Sequence, residues 1–444
     1  MKYQEKQTDT GDLQKSYTSF LDILSDAELD NLFEKYGVKD IRKRKLSVRH
    51  FFWLIILSAS EPGVRGSLVQ LAGFFLGAIV IFPSLQAKSG GKLSKTALSK
   101  RLNNISWYLF RGVYNHLLDK YRHILKATDV QFLGRFEDAF AVDGSVIRLC
   151  KQLETVFQSV HKDKSSLKLN ARYSLKLEVL TKLQVSHGKR HDSRFSFVTK
   201  ETNRLYLVDL GYWSFKLMKK IIDAGSFFVM RLKSSCNPLI VKVSDQKFQH
   251  LVGKRLSEIR EWLKTQTDLK EINLTVQLSS AKKPHFKEDI RLVGLLHEGL
   301  WRFYITNIFD ATFTPTHIYD LYALRWQIEI FFNVIKNVLS LQNIISRNKN
   351  GIMIEIYAAL VFHLLTRIVI ALAAQKTSQS IQHFSFERSS KLVKGFLLAN
   401  IHLFFRKSLQ ALDEIFAILV NVVSQMGKRQ KPHPVINLKQ RLNP

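Results

Sequence analysis

The stretch Phe136-Glu-Asp-Ala-Phe-Ala-Val-Asp-Gly144 is a short apolar run that ends in an aspartate followed by a glycine. A second apolar run, Leu205-Tyr-Leu-Val-Asp-Leu-Gly211, ends in a similar way. It is followed by a helical pattern over residues 214–224 and by a further strand pattern over 226–233. Strand, helix and strand in this order predict an α/β fold built on a mixed sheet.

The two aspartates, Asp143 and Asp209, are therefore predicted at the carboxyl ends of strands. Ligands bind at that edge of an α/β sheet, so the two carboxylates could share one metal site. The alternative is that each aspartate only forms a turn with the glycine that follows it. Asp138 and Asp192 are rival carboxylates, but the first precedes its apolar run and the second lies in a predicted loop.

A third acid lies in Tyr322-Ala-Leu-Arg-Trp-Gln-Ile-Glu-Ile-Phe-Phe-Asn-Val-Ile-Lys336, which has the apolar spacing of an amphipathic helix. At about 100° per residue, four of its polar side chains lie within roughly 60° of one another. They are Tyr322, Arg325, Glu329 and Lys336. An ordinary ion pair between Arg325 and Glu329, one turn apart, would explain the two charges. It would not explain why a phenol and an ammonium share the same face.

The composition indicates a polyanionic partner. The chain has 444 residues, with 67 Lys and Arg against 37 Asp and Glu, so its formal net charge is +30. Such an excess favours nucleic acid or an anionic membrane surface over the substrate of an ordinary metabolic enzyme. A hydrophobic content of 46% excludes a disordered basic protein. The two cysteines, Cys150 and Cys236, form no C-x-x-C pair, which indicates a reducing compartment and no zinc finger.

Two apolar stretches, residues 68–83 and 352–374, could be mistaken for membrane spans. The first is short and interrupted by polar and glycine residues. The second contains Glu355, His363 and Arg367, each of which is costly at the centre of a bilayer. We therefore expect both stretches to be buried core helices, with no membrane association.

The N-terminal part of the chain is predicted to be helical from its apolar periodicity. Within it, residues 92–102 form a short basic helix with Ser94 as its N-cap. Leu98 and Leu102 would face inward, and a helix of this kind suits the major groove of DNA. A solvated surface is the ordinary alternative for such a charged face. The residues available for contact are Lys95, Ser99 and Lys100.

The helix over residues 322–336 resembles the Y-R-E-K signature of the insertion-sequence transposases of the fourth group. These are DDE enzymes with a ribonuclease H-like catalytic core. The Asp-Gly at Asp143 and the Asp-x-Gly-Tyr at Asp209 resemble the family's first and second catalytic motifs, and Glu329 resembles its third acid. The resemblance extends approximately from residue 45 to residue 375.

This resemblance implies a cut-and-paste transposase that hydrolyses a phosphodiester and then transfers the strand, through a hairpin intermediate. It implies two Mg²⁺ ions, which Mn²⁺ can replace, held by Asp143, Asp209 and Glu329. Asp143 would bridge the two ions. The alternative is a non-catalytic DNA-binding regulator, or a domesticated remnant of the same fold.

The resemblance also implies DNA contacts close to these acids. Tyr322, Arg325 and Lys336 would hold phosphates beside the scissile bond. Arg231 and Lys233 alternate onto one face of their predicted strand and could contact the DNA backbone, or could form salt bridges at its rim.

In relatives, a tryptophan of the insertion fills the stack left by a flipped base. Trp301 lies in a comparable place relative to Glu329, and Trp326 beside Arg325 is the alternative. A tryptophan on a strand is more commonly part of the core.

We expect five segments along the chain: a helical DNA-end-binding domain over 1–130, the first part of a ribonuclease H-like core over 131–237, a β-rich insertion over 238–312, the second part of the core over 313–376, and a helical C-terminal region with a basic tail over 377–444.

The expected partners are double-stranded DNA, at terminal inverted repeats and at the target, and a second copy of the chain in a synaptic complex. We expect the protein in the cytoplasm of a bacterial or archaeal cell, associated with the nucleoid.

Overall fold

The computed structural model describes residues 23–40, 46–61, 67–80, 94–125, 131–162, 164–278, 286–406, 412–431, 438 and 441–442. Residues 1–22 of the expected N-terminal domain and 432–437 of the expected basic tail lie outside this set.

The centre of the fold is one sheet. Its strands are β1 Asp138–Leu149, β2 Ser165–Ser174, β3 Val179–His187, β4 Arg204–Val208, β5 Phe227–Arg231, β6 Leu239–Val243, β7 Glu271–Gln277, β8 Ile290–His297 and β9 Leu300–Thr306. Their order across the described part of the chain is β3-β2-β1-β4-β5-β9-β8-β7-β6. β1, β4 and β5 run parallel, and β2 and β3 are antiparallel to their neighbours. This is the arrangement of a ribonuclease H-like sheet, so the predicted mixed α/β fold is confirmed.

Helices pack on both faces of the sheet and extend beyond it. In chain order they are α1 Asp26–Lys35, α2 Val48–Ser58, α3 Leu68–Val80, α4 Lys95–Asn104, α5 Trp107–Leu125, α6 Gln131–Gly134, α7 Phe215–Asp223, α8 Leu256–Lys264, α9 Pro315–Ala323, α10 Gln327–Asn333, α11 Lys349–Lys376, α12 Phe386–Ala399, α13 Ile401–Arg406 and α14 Leu412–Met426.

The alternation of small and large side chains along β1 separates two hydrophobic cores. Ala139 and Ala141 face the core that contains α5 and α11. Phe140 and Val142 face the opposite core, which contains residues of α7 and α8. Because successive strand residues point to opposite faces, Asp143 is directed toward the same side as Ala141.

The expected β-rich insertion contributes strands to this same sheet. β9 pairs antiparallel with β5, and β8, β7 and β6 follow outward in turn. The sequence predicted a β-rich stretch over residues 238–312, but apolar spacing carries no information about which existing edge of the sheet its strands join. The division of the chain into five segments stays a prediction.

Helix α11 is the one described helix that is long and apolar enough to cross a membrane, and 94% of its most apolar window is buried. Its charged residues have specific partners inside the fold. The carboxylate of Glu355, fully buried, accepts hydrogen bonds from the backbone N–H groups of Ile345, at 3.1 Å, and Ser346, at 2.8 Å. Arg367 forms an ion pair with Glu178. α11 is therefore a core helix whose acid fixes the loop that precedes it.

Helix α4 has the predicted cap and the predicted inward face. The Ser94 hydroxyl accepts a hydrogen bond from the Ala97 N–H at 3.2 Å, and Leu98 and Leu102 are buried. Lys95 and Lys100 are exposed, whereas Ser99 is half-buried. The end of α4 is attached to the start of α11, because the Asn350 side chain donates to the Leu102 carbonyl at 2.7 Å.

The Glu355 carboxylate offers a test of how the core is held. Replacing it in Glu355→Ala leaves two buried N–H groups without an acceptor, so we expect a loss of about 2–3 kcal/mol in the free energy of unfolding. Glu355→Gln keeps one acceptor oxygen and should lose less. Urea denaturation followed by circular dichroism measures both.

The matched control is Glu387→Ala, which removes an exposed helical acid paired with Lys391 at 2.8 Å. Exposed pairs of this kind contribute about 0.5 kcal/mol or less. Equal losses for the Glu355 and Glu387 variants would contradict a specific role for the buried carboxylate.

Candidate active site

Asp143 and Asp209 lie side by side on neighbouring parallel strands. Val142 of β1 is in register with Val208 of β4, so each aspartate is the next residue along its strand. β4 ends there, and the Asp209 carboxylate accepts a hydrogen bond from the Gly211 N–H at 3.4 Å. Arg231 is the corresponding residue of β5, because Val208 is in register with Met230.

The prediction that Asp143 ends its strand is wrong. β1 continues to Leu149, and Asp143 is in register with Ala171 of the antiparallel strand β2. The Asp-Gly pair is a local turn signal, but the hydrogen bonds of a sheet ladder outweigh it. Asp143 is at the carboxyl edge only with respect to its parallel neighbour β4.

The prediction of one regular helix from Tyr322 to Lys336 is also wrong. α9 ends at Ala323, a 3₁₀ turn follows over Leu324–Trp326, α10 begins at Gln327, and residues 334–338 form a π-helix. The 3₁₀ and π segments are only three and five residues long, so the apolar spacing is too short to show that their periods differ from that of an α-helix. An angular projection at a constant 100° therefore does not fix the position of Lys336.

Arg325 brings the first and third acids together. Its Nη1 donates to Asp143 Oδ2 at 3.0 Å, and its Nη2 donates to Glu329 Oε1 at 2.7 Å. The ordinary helical pair with Glu329 is thus present, but the same guanidinium also reaches a strand 182 residues away in sequence. Two carboxylates from distant parts of the chain face one cationic group.

Burial and charge act on this cluster in opposite directions. Burial raises the pKa of Asp143, against the effect of the Gly144 N–H and Arg325, and the neighbouring Asp209 and Glu329 raise it further. Burial acts to lower the pKa of Arg325, but Tyr322, Asp143 and Asp209 outweigh it and raise that pKa. The guanidinium therefore stays charged and compensates the acids around it.

Lys336 is half-buried on the π-helix and forms no ion pair with any residue that the structure describes. Burial lowers its pKa. The structure does not bring Lys336 into direct contact with Arg325 or Glu329.

Asp192, which the sequence places in a loop, packs against both aspartate motifs. A Cβ atom on Gly144 would lie 3.0 Å from Asp192 Oδ1 and 2.7 Å from Asn170 Oδ1. A Cβ atom on Gly211 would lie 3.5 Å from Asp192 Oδ2. The glycine of each motif therefore leaves room for the same turn. The signal in the sequence was the glycine shared by both motifs, but nothing there identified the segment that occupies the space.

The other rival acid has a structural role. Asp138 is 5% exposed at the opposite end of β1, and it accepts hydrogen bonds from the Ala139 N–H and the Ser174 hydroxyl, both at 2.8 Å. It is remote from the edge that carries Asp143, as predicted.

A cavity of about 720 Å³ opens beside Arg325. Its aromatic wall includes Trp301, Tyr304, Tyr319, Tyr322 and Trp326, and its cationic residues are Arg231, Arg302 and Arg325.

The two candidate tryptophans differ in exposure. Trp326 is 58% exposed, whereas Trp301 is half-buried with its ring stacked 6.3 Å from Phe303. Tyr322 is buried, burial raises its pKa to about 12, and its hydroxyl has no hydrogen-bond partner in the described part of the chain. Lys233 lies beyond the end of β5 and does not share a strand face with Arg231, which corrects the predicted alternation.

The donor set suits a hard divalent cation. The carboxylates of Asp143 and Glu329 already face one positive group, and carboxylate oxygen is the ligand that Mg²⁺ and Mn²⁺ prefer. With the side chains as they lie, the described residues contain no group of three or more His, Cys, Asp or Glu close enough to hold an ion. In this arrangement the Arg325 guanidinium lies between the carboxylates of Asp143 and Glu329.

We next compared the chain with protein-family models and with curated proteins. The family model of the transposase DDE domain matches residues 134–365, which are 232 of the 444 residues of this chain. The transposase for insertion sequence element IS1151 of Clostridium perfringens is 23% identical over 315 residues, covering 63% of this chain and 67% of that protein. The transposase for element IS231D of Bacillus thuringiensis subsp. finitimus is 22% identical over 459 residues, covering 91% and 90%.

A solved structure, the synaptic complex of piggyBac transposase with hairpin DNA, aligns with a TM-score of 0.40 at 12% identity, covering 93% of this chain and 85% of that chain. This likeness is too distant to support an inference. The match of the family model over more than half of the chain does not depend on it. The chain belongs to the family of DDE-domain transposases, enzymes of DNA transposition.

Proposed function

We propose that this protein moves an insertion sequence by cut-and-paste, cutting DNA at the ends of the element and joining them to a target. The observation that supports this most strongly is the convergence of Asp143 and Glu329 on one guanidinium, next to Asp209. Phosphodiester cleavage needs clustered carboxylates beside a positively charged surface, and this crevice has both.

We propose Asp143, Asp209 and Glu329 as the ligands of two Mg²⁺ ions, which Mn²⁺ can replace. When bound, such ions activate the attacking hydroxyl and stabilise the leaving oxygen. Arg325 then exchanges its two carboxylates for a DNA phosphate, because a guanidinium binds both groups through the same pair of N–H donors. Lys336 would add a second positive charge near the bound strand.

The aromatic cavity supports the proposal that cleavage passes through a DNA hairpin. Closing a hairpin bends the strand sharply and forces a base out of the stack, which costs a few kcal/mol. Aromatic side chains that stack on the extruded base, and arginines that contact the phosphates, would offset part of that cost. Trp301 and Trp326 are the candidates for the stacking surface, and Arg231 and Tyr322 would contact the strand beside it.

We assign end recognition to α4, whose exposed Lys95 and Lys100 would contact phosphates while Ser99 lies at the edge of the interface. The Asn350 bridge between α4 and α11 would transmit its position to the catalytic core. We further propose a homodimer that holds two DNA ends and a location at the bacterial or archaeal nucleoid. The candidate contact between the two copies is the apolar stretch of residues 390–426, of which 407–411 lie outside the described residues. The alternative function is DNA binding without cleavage.

The catalytic assignment is tested on a duplex that carries one terminal inverted repeat. In the presence of Mg²⁺ we expect wild-type protein to nick it at the repeat boundary. The variants Asp143→Asn, Asp209→Asn and Glu329→Gln should lose at least ~100-fold in nicking rate, because each removes a charge needed at the transition state. Their affinity for the uncut duplex should be retained.

Asp223→Asn is the matched control, because it changes an exposed carboxylate to the same amide. Among the described residues, Asp223 forms an ion pair only with Lys219, at 3.1 Å. Full cleavage by both Asp143→Asn and Asp209→Asn would show the assignment to be wrong. Tight binding without nicking by the wild-type protein would favour the non-catalytic alternative.

The cavity is tested by hairpin formation on a pre-nicked duplex, measured on a denaturing gel. Truncating the stacking residue, in Trp301→Ala or Trp326→Ala, should slow the hairpin step by about 10–100-fold, which corresponds to a loss of about 1–3 kcal/mol of stacking. First-strand nicking should change much less.

An abasic nucleotide at the flipped position should partly restore the slow variant, because it removes the cost of unstacking. The control is Phe309→Ala, an aromatic residue that is 51% exposed and lies outside the cavity. If both tryptophan variants behave like Phe309→Ala, the cavity takes no part in the hairpin step.

A further inference from the structure

Three strands extend past the edge that carries the acids. β4 ends at Val208, whereas β1 runs on from Asp143 to Leu149, which is six residues further. At about 3.3 Å per residue this projection is about 20 Å long. β2 and β3 run beside it through the pairs from Gly144↔Asn170 to Leu167↔His187. We call residues 144–162, 164–170 and 183–190 the distal arm.

The distal arm is firmly built. Two of its own residues, Leu153 and Phe157, are buried. The Phe157 carbonyl accepts a hydrogen bond from the Ser166 N–H at 3.0 Å. Gly188 closes onto β2 through its N–H, which donates to the Ser166 carbonyl at 2.8 Å. A Cβ atom on Gly188 would lie 2.0 Å from the Ser166 hydroxyl oxygen, so a larger residue here would force the Ser166 side chain to move. The arm can therefore hold charges at fixed distances from the acids.

The arm carries a strong positive charge. The sequence over 144–170 and 183–190 contains seven Lys and Arg and two acids, a net +5. Five of these basic residues are exposed and form no ion pair with another described residue: Arg148, Lys151, Lys162, Lys164 and Lys189. The only Phe, Tyr or Trp in these two stretches is Phe157, which is buried. The surface is suited to phosphates and not to unstacked bases.

The other side of the crevice has the opposite character. β9 runs antiparallel to β5, and its Tyr304 pairs with Arg231, the last residue of β5. The first residues of β9, from Leu300, therefore extend past the end of β5. Trp301, in that projecting part, lines the aromatic cavity. Between β1 and β9 lie β4 and β5, so the two projections are three strand spacings apart, or about 14 Å. In the order of the strands, the acids lie between the distal arm, which we call the basic wall, and the aromatic wall.

We propose that the distal arm binds the sugar-phosphate backbone of duplex DNA on the far side of the scissile bond from the transposon end. This inference rests on the proposed function, in which the aromatic wall receives the distorted end of the element. The basic wall then takes the undistorted duplex that continues outward, which is flanking DNA before cleavage and target DNA at integration. An arm of about 20 Å spans about six base pairs at 3.4 Å each.

The test is an affinity series without divalent metal, so that no DNA is cut. The probes are duplexes of the inverted repeat with 0, 3, 6 or 12 base pairs of flank, and fluorescence anisotropy gives the dissociation constants. We expect wild-type affinity to rise with flank length up to about six base pairs, the length of the arm. The variant with Arg148, Lys151, Lys164 and Lys189 all replaced by alanine should lose that rise, about 10-fold or more, and should lose about one unit of salt slope per phosphate contact.

The control carries four alanines at Lys200, Lys242, Lys254 and Lys270, which are exposed residues outside the arm with the same total charge. It should keep the wild-type dependence on flank length, and thermal melts check that both variants are folded. If the arm variant bound more weakly by the same factor at every flank length, or behaved like the control, the arm would not bind the flank. That result would leave the proposed function standing. No binding of the repeat by wild-type protein would overturn the proposed function and this inference with it.

A second measurement places the arm directly. Cys150 follows the end of β1 and is exposed, whereas Cys236 is buried. An iron chelate attached to Cys150 should cleave the DNA strands in the flank, about six base pairs outside the repeat. The Cys150→Ser protein treated in the same way should give no cuts. Cuts centred inside the repeat would contradict the proposed orientation.

Discussion

The site depends on one ionic interaction, the bridge from Arg325 to Asp143 and Glu329. Burial in the crevice raises the pKa of Asp143, and repulsion from the neighbouring carboxylates of Asp209 and Glu329 raises it further. A single guanidinium between Asp143 and Glu329 reduces this repulsion. It also fixes α10 against the end of β4 and the middle of β1, so the geometry of the site and its charge balance come from the same contact.

The positive charge of the chain has two separate uses. Some arginines act inside the fold: Arg101 pairs with Asp40 at 2.6 Å, and Arg291 donates to the carbonyl groups of Ile308 and Phe313 at 3.1 and 2.7 Å. These side chains are not available to a partner. The charge that remains exposed includes the lysines of α4 and the basic residues of the distal arm, which are the surfaces proposed for DNA. The net charge of +30 is therefore larger than the charge available to a partner.

Local patterns predicted the elements, and non-local pairing decided what they do. Apolar periodicity was enough to predict α7 and the β-rich character of residues 238–312, and a serine was enough to predict the cap of α4. The continuation of β1 beyond Asp143 depends on pairing with β2, which no local signal specifies. The approach of Asp192 to Gly144 likewise depends on how a distant turn folds back, and the π-helix at residues 334–338 has no distinct apolar period. Sequence could propose Asp143, Asp209 and Glu329 as a set, but it could not place Arg325 between Asp143 and Glu329.

The account claims that Arg325 holds the position that a divalent cation takes when the acids become ligands. Titration of Mn²⁺ into the protein without DNA, followed by electron paramagnetic resonance, tests this most directly. Arg325→Gln should bind Mn²⁺ more tightly than wild type, because the competing cation is gone, and Asp143→Asn should bind it more weakly. An unchanged or weaker affinity in folded Arg325→Gln, or normal binding by Asp143→Asn, would contradict the claim.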